Sequence, residues 1–264
     1  MRSQGAIPAT AHCSYMALPM DLAALLSSAT VRERSSAAIL STAGCFDKQF
    51  CAVQTTDNAG ISLKWFRDTF GNMILQDSIN AGISVYEQMN RLCTQTKPGC
   101  GGLIYLPYLS GEKSPIWDPK ARGVFFGINL DTGYSDFIRA VMEVVAYSIR
   151  HCIETVPVIG AEAQQSPIPI GGGAAKSGIW CQIFADVLKR PVIMLPDDET
   201  ETLGDAIIAA QAGGIKEVPY DFGKALAGKG KLIEPCRRNA AIHDRGFARY
   251  KELYSRLKDM FSKQ

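Results

Sequence analysis

One stretch, residues 168–195, constrains the fold more than any other part of the chain. It reads IPIGGGAAKSGIWCQIFADVLKRPVIML, in which a short apolar run at Ile168–Ile170 is followed by three glycines, residues 171–173. Apolar residues then recur at helical spacing, and a second apolar run rich in β-branched residues follows at 191–195. The stretch therefore predicts a strand, a glycine turn, a helix and a second strand.

The glycine turn has two interpretations. Because glycine lacks a Cβ, its backbone lets a ligand approach closely, and a helix starting after it presents N–H groups and a positive dipole end. These properties suit an anion or a nucleotide, whereas the simpler alternative is a structural turn between a strand and a helix. The spacing excludes the G-x-G-x-x-G dinucleotide motif, because the sixth position from Gly171 is Lys176. It also excludes the P-loop, because Ala175 occupies the position of the glycine before Lys-Ser.

The composition narrows the class of protein. Of 264 residues, 47% are hydrophobic and 20% charged, with a net charge of +2, which is typical of a globular protein with one substantial core or two modest ones. No basic stripe with interleaved aromatics occurs, and no apolar run reaches the length of a membrane span. Eight cysteines without C-x-x-C spacing indicate reduced thiols, and three scattered histidines indicate no metal site. We therefore expect a cytoplasmic protein without a nucleic-acid or membrane partner.

Strand-like and helix-like segments alternate beyond residue 48. Strands are predicted at 49–54, 103–106 and 123–128, and helices at 61–70, 84–92, 135–154, 202–212 and 243–261. Gly71 is expected to end the first helix, Ser84 to cap the second in a capping box with Glu87, and Ser135 to cap the longest. The alternation predicts an α/β protein with a parallel or mixed sheet.

Three further segments lack a clear hydrophobic periodicity. Residues 1–40 show no strand–turn–strand pattern and are expected to be partly disordered or an irregular cover, and residues 216–240 are loop-like and basic. The loop at 107–122 contains three prolines. It is either functional or a surface excursion packed by Trp117.

Several long blocks carry a family resemblance. They are NAGISLKWFRD at 58–68, YLPYLSGEKSPIWDPKARGVFFGI at 105–128, RAVMEVVAYSIRHCIE at 139–154, IGGGAAKSGIWCQIFADVLKRPV at 170–192 and ETLGDAIIAAQAGGI at 201–215. In these blocks the chain resembles the C-terminal half of the FGGY carbohydrate kinases, and within them the xylulokinases. The resemblance implies one lobe of an actin-like, ribonuclease H-like ATPase fold. Residues 41–264 would form the nucleotide-binding domain, and 1–40 a poorly matching segment.

The resemblance also implies a nucleotide site. ATP would lie in a cleft between two lobes, with the sugar held mostly by the other lobe. Six residues are implied to contact the nucleotide: Gly172, Gly173, Ala174 and Ser177 at the glycine turn, and Gly60 and Lys64 near the β- and γ-phosphates. For Lys64, a solvated charge on a helix is the alternative.

Three motifs of the family do not occur in this sequence: the Asp-Gly-Thr/Ser phosphate loop, the catalytic Asp of the N-terminal lobe and the Gly-Thr-Ser-Gly hairpin. No catalytic residue is therefore assigned. The expected function is the ATP-binding half of a sugar kinase that transfers the γ-phosphate of ATP to a hydroxyl of a xylulose-like ketopentose, with Mg²⁺ bridging the phosphates. The isolated chain is expected to be inactive and to self-associate, its other lobe being supplied by another chain or lost. The alternatives are a non-catalytic nucleotide-binding remnant and a kinase acting on gluconate or glycerol.

Overall fold

The computed structural model describes residues 14–20, 40–43, 50–155, 166–196, 200–215 and 228–263. In these ranges the strands are β1 (Ser14–Met20), β2 (Leu40–Ala43), β3 (Phe50–Thr56), β4 (Ile104–Leu106), β5 (Val124–Phe126), β6 (Ile168–Ile170), β7 (Val192–Met194) and β8 (Lys231–Ile233). The helices are α1 (Ala59–Phe70), α2 (Asn72–Ala81), α3 (Val85–Gln95), α4 (Tyr134–Glu154), α5 (Gly172–Ala175), α6 (Gly178–Leu188), α7 (Thr200–Ala212) and α8 (Ala240–Phe261). Short 3₁₀ turns occur at Cys100–Gly102 and Arg237–Asn239.

The first sheet has the strand order β1-β3-β2 and is antiparallel. β1 runs the full length of β3, with Ser14 opposite Thr56 and Met20 opposite Phe50. β1 therefore lies in a segment that was expected to be irregular or partly disordered. Its partner lies far along the chain, and such non-local pairing leaves no local pattern to detect. The rest of that segment, residues 1–13 and 21–39, lies outside the described residues.

The remaining strands form a hairpin and a mixed sheet. β4 and β5 pair antiparallel, and the third sheet has the order β6-β7-β8. β6 and β7 are parallel, whereas β7 and β8 are antiparallel. The predicted strand, turn, helix and strand at 168–195 and the predicted mixed sheet are confirmed. β8 lies in the segment that was expected to be a loop.

The helices follow their predicted positions with one correction at a helix start. Gly71 ends α1 as predicted, because it is the C-cap after Phe70, and α2, which was not predicted, begins at the next residue. Ser84 caps α3 as predicted, accepting the Glu87 N–H at 3.1 Å. The cap of α4 is Gly133 instead of Ser135, and the Gly133 N–H donates to Asp136 Oδ2 at 2.8 Å.

The core is built around α4, which contacts α1, α3, α6 and α8. Its buried side chains face in several directions, among them Ile138, Val141, Met142 and Val145. A helix that is covered on most of its surface is a central helix instead of an amphipathic surface helix. Consequently α4 links the segment that starts at α1 to the segment that contains the glycine turn.

The loop between β4 and β5 is held by a carboxylate and not by its tryptophan. Trp117 is 47% exposed, so the alternative of a surface loop packed by Trp117 is wrong. Glu112 is buried and accepts hydrogen bonds from Thr56 Oγ1 at 2.8 Å and from the Asp57 N–H at 2.9 Å. Asn58 Nδ2 donates to the Gly111 carbonyl at 2.6 Å. The loop is therefore tied to the residues that precede α1.

The cysteines whose side chains the structure describes are free, as predicted: Cys93, Cys100, Cys152, Cys181 and Cys236. Burial raises the pKa of the Cys181 thiol to about 11 and that of Cys152 to about 12, which makes these thiols poor nucleophiles. In the ranges that the structure describes, no helix combines the length and the apolar character of a membrane span.

Candidate functional site

The glycine turn follows β6 directly. Gly171 is extended, with φ −114° and ψ −176°, and Gly172 has a φ of +64°, a region that glycine adopts far more readily than other residues. The chain then forms the single helical turn α5, in which the Lys176 N–H donates to the Gly173 carbonyl at 3.3 Å. The turn thus reverses the chain sharply at the end of a strand.

The backbone of this turn is open. A Cβ built on Gly172 or on Gly173 would have no atom within 4 Å, and Gly173 is exposed. Packing against neighbours therefore does not require glycine at Gly173. The main chain of this turn is therefore accessible, and a ligand could approach it closely.

The Ser177 side chain is hydrogen-bonded within the protein. It caps α6, because its Oγ accepts the Trp180 N–H at 3.2 Å, and it donates to Asn90 Oδ1 at 2.8 Å. Its side chain is buried, with 6% of the residue exposed. The helix predicted to start at the glycine turn is therefore divided into α5 and α6, and the first turn of α6 is capped from within the chain.

The glycine turn lies at the carboxyl edge of the mixed sheet. Because β6 and β7 are parallel, both strands end at this edge, and the Leu195 N–H donates to the Ile170 carbonyl at 3.0 Å. β8 runs antiparallel and places Lys231 opposite Met194. In open α/β sheets, ligands bind in crevices outside the carboxyl ends of the strands.

A cavity of about 290 Å³ opens at this edge. Its lining residues are Ala175, Lys176, Met194, Leu195, Pro196, Lys229 and Lys231. The wall combines apolar surface from the end of β7 with three lysines, and none of its lining residues within the described ranges is acidic. An apolar wall with a few cationic groups suits a flat organic ring that carries an anion.

Lys229 and Lys231 are not among the residues predicted from the sequence. The available signal was the basic composition of 216–240, but no local pattern indicated β8 or its position beside β7. Of the predicted residues, Gly172, Gly173 and Ala174 lie on one turn next to this cavity, with Ala175 in its wall.

Gly60 and Lys64 lie on a different helix. Gly60 is exposed in the first turn of α1, and Lys64 Nζ forms an ion pair with Asp68 Oδ2 at 2.8 Å. The Lys64 side chain is 57% exposed, so the pair is a surface pair one helical turn apart. α1 and α6 both pack on α4, which places these residues and the glycine turn on one framework.

Glu112 belongs to the loop between β4 and β5. Its buried carboxylate is bonded to Thr56 and Asp57, which precede α1. Burial raises the pKa of Glu112, and the hydrogen bonds from Asp57 and Thr56 oppose that shift. In the described part of the chain, no group of three or more His, Cys, Asp or Glu residues has the arrangement of a metal site.

Comparison with known proteins identifies the family. The C-terminal domain of the FGGY family of carbohydrate kinases matches residues 22–213. Gluconokinase from Bacillus subtilis is 32% identical over 171 residues, which are 64% of this chain and 33% of that protein. Xylulose kinase from Staphylococcus epidermidis is 31% identical over 211 residues, which are 80% of this chain and 40% of that protein.

Solved structures of carbohydrate kinases resemble the fold of this chain. Xylulose kinase from Rhodospirillum rubrum superposes with a TM-score of 0.70 and 26% identity, covering 85% of this chain and 43% of that one. Glycerol kinase from Plasmodium falciparum, solved with ADP, shares the fold with a TM-score of 0.64 at 17% identity. The chain spans less than half the length of each of these relatives. It belongs to the FGGY family of carbohydrate kinases, whose C-terminal domain it carries in the actin-like ATPase fold.

Proposed function

We propose that this chain is the ATP-binding part of a sugar kinase and that adenosine phosphates bind at the glycine turn. The observation that carries the proposal is the open main chain at Gly172 and Gly173 beside a cavity lined by lysines. Backbone N–H groups and lysines are the groups with which proteins commonly hold phosphates.

The charges of the cavity support a division of roles within the nucleotide. The apolar surface at Met194, Leu195 and Pro196 suits the base, whereas Lys229 and Lys231 suit the phosphates. When bound, Mg²⁺ would neutralise phosphate charge. We propose that the phosphates of the nucleotide hold the metal.

The parent reaction that we propose is transfer of the γ-phosphate of ATP to a hydroxyl of a ketopentose. The match to xylulose kinases covers more of this chain than the match to gluconokinases, 80% against 64%. Gluconate remains the second substrate candidate, because the gluconokinase identity is equally high at 32%. In the family that this chain resembles, the catalytic Asp belongs to the other lobe. We therefore expect no sugar-dependent ADP formation by the 264-residue chain alone.

The first experiment measures nucleotide binding by calorimetry and thermal shift. The chain should bind ATP and ADP, and Gly173→Val should weaken both, because the valine side chain would occupy the open space at the turn. Ala81→Val, which adds the same side chain at an exposed position at the end of α2, is the matched control. Equal ATP affinity in Gly173→Val and in the parent chain would exclude this site.

A second set of variants tests the phosphate end. Replacing Lys229 and Lys231 by glutamine should weaken ATP binding by about tenfold or more and leave adenosine binding unchanged, because only the phosphates carry the charge that the lysines attract. Lys64→Gln tests the phosphate role predicted for Lys64. An unchanged ATP affinity in Lys64→Gln assigns that lysine to its surface pair with Asp68.

Activity is tested separately from binding. The purified chain is assayed for ADP formation with ATP, Mg²⁺ and D-xylulose or gluconate, alone and mixed with the N-terminal half of a xylulose kinase. Activity in the mixture supports the half-enzyme. ATP binding without activity in any mixture supports the alternative of a non-catalytic nucleotide-binding module.

A further inference from the structure

A second cavity, of about 330 Å³, lies between α8 and the glycine-rich turn before β4. Its wall contains Gly99, Gly101 and Gly102 from that turn and Arg245, Ile242 and Arg249 from α8. These residues are not among those that line the cavity at the carboxyl edge of β6 and β7. The nucleotide proposal does not use them.

Two arginines occupy one side of this cavity. Arg245 and Arg249 are four residues apart on α8, so both guanidinium groups project from the same face of the helix. Two like charges at this spacing disfavour the helix slightly when nothing lies between them. The arrangement therefore favours an anion that both cations can share.

Neither arginine is neutralised within the part of the chain that the structure describes. Arg245 and Arg249 form no hydrogen bond or ion pair there. The nearest acidic residue in sequence after Arg249 is Glu252, and it is bonded to Arg256 at 2.6 Å. Asp244, which precedes Arg245, pairs with Arg150 at 2.8 Å and with Lys189 at 2.7 Å.

The opposite wall is a backbone turn in a fixed shape. The Gly99 N–H donates to Glu143 Oε1 at 3.0 Å, and the Gly102 N–H donates to the Gly99 carbonyl at 2.8 Å. The charge of Glu143 is compensated by Arg139, whose Nε donates to it at 2.7 Å, so this carboxylate does not neutralise the cavity.

The guanidinium of Arg249 lies directly over this turn. A Cβ built on Gly102 would come within 3.1 Å of Arg249 Nη1, whereas one built on Gly101 would have no atom within 4 Å. Side chains are thus absent where the cation approaches the main chain, and space remains beside it at Gly101.

We propose that this cavity binds a phosphate monoester of a small organic molecule. The phosphate would be shared by Arg245 and Arg249, because a guanidinium forms paired, charge-assisted hydrogen bonds with phosphate oxygens. The organic part would lie along Ile242 and the glycine turn. The volume is in the range of cavities that hold small molecules, and exceeds what inorganic phosphate alone needs.

The test uses two-dimensional ¹H–¹⁵N NMR of the full 264-residue chain at constant ionic strength. The probes are glucose 6-phosphate, inorganic phosphate, and glucose as the uncharged control. We expect saturable shifts of the Gly101 and Gly102 amides with glucose 6-phosphate, weaker ones with inorganic phosphate, and none with glucose. Equal affinities for the two phosphates would overturn the assignment to a monoester, and shifts absent from this turn would overturn the site.

Variants separate this site from the lysines of the other cavity. Arg245→Gln/Arg249→Gln should weaken glucose 6-phosphate binding by at least about tenfold. Arg256→Gln on the same helix is the matched control, and Lys229→Gln/Lys231→Gln should leave this affinity unchanged. Because both arginines are exposed, we expect the double variant to fold, and its thermal midpoint checks this. Undiminished binding in the folded double variant would refute the proposal.

Discussion

Arg139 and Glu143 form a buried ion pair one turn apart on α4, with Arg139 Nε 2.7 Å from Glu143 Oε1 and side chains only 6% and 3% exposed. Both partners are also bonded to other elements. Arg139 Nη1 donates to the Thr96 carbonyl at 3.1 Å, and Glu143 accepts the Gly99 N–H. The pair therefore fixes the end of α3 and the following turn on the central helix.

Replacing Arg139 should destabilise the folded protein. Arg139→Leu leaves Glu143 as a buried carboxylate without its counter-charge, and we expect the free energy of unfolding to fall by about 3–5 kcal/mol. Urea denaturation measures the change. The matched control is Arg256→Leu, which breaks an ion pair whose side chains are 74% and 57% exposed and should cost about 0.5 kcal/mol or less. Equal losses in the two variants would contradict the account.

Glu112→Gln tests the anchor of the loop between β4 and β5. Glu112 accepts from the Asp57 and Lys113 N–H groups, each at 2.9 Å, and from Thr56 Oγ1. Glutamine replaces one acceptor oxygen by a donor, so at least one of these bonds is lost in a buried place.

We expect a loss of about 1–3 kcal/mol in the free energy of unfolding and faster hydrogen exchange at Asp57 and Lys113. Glu252→Gln, at a surface pair, is the control and should change stability by about 0.5 kcal/mol or less. Unaltered exchange at Asp57 would show that the carboxylate does not hold the loop.

Gly246→Ala tests the close contact between α8 and α4. Alanine favours a helix over glycine by about 1 kcal/mol, so intrinsic propensity predicts stabilisation. A Cβ at Gly246, however, would overlap Tyr147 Oη and lie 2.9 Å from Tyr147 Cζ. We expect a net destabilisation of about 1–3 kcal/mol by urea denaturation.

The control is Gly60→Ala in the first turn of α1, where an added Cβ meets no atom within 4 Å. It should leave stability unchanged or raise it by up to about 1 kcal/mol. If both variants gain stability, α8 and α4 have room to separate.

His151 should make stability depend on pH. Burial is the largest cause and the nearby Lys251 a smaller one, and together they lower the pKa of His151 to about 4 from an ordinary value of 6.5. The unfolded chain then binds a proton below pH 6.5 that the folded chain does not bind until about pH 4. Stability is therefore full above pH 6.5 and decreases as the pH falls towards 4.

We expect His151 to account for about 1–2 kcal/mol of the decrease in the free energy of unfolding between pH 7.5 and pH 5. His151→Phe, which keeps an aromatic ring beside Phe247 and Tyr250, should reduce the pH dependence by that amount. Burial also lowers the pKa of His243, which supplies a remaining dependence in the same direction. An identical pH profile for His151→Phe would show that His151 does not contribute.

The sequence alone determined the local elements and the family. Hydrophobic periodicity predicts α1, α3, α4, α6 and α8, because each carries an apolar face at helical spacing. The glycine triplet predicts a turn between a strand and a helix, and long ordered blocks carry the kinase resemblance. All of these are properties of neighbouring residues, which the chain order records directly.

Only the tertiary structure decided which distant residues meet. β1 and β8 become strands through partners far along the chain, and Lys229 and Lys231 line one cavity with Ala175 because β8 pairs with β7. Ser177 is predicted as a ligand residue, yet Asn90 and the first turn of α6 take its hydroxyl. Likewise Arg245 and Arg249 form one side of a cavity only because α8 packs beside the turn at Cys100–Gly102. Such contacts depend on how the elements pack, since the buried core sets which surfaces face each other.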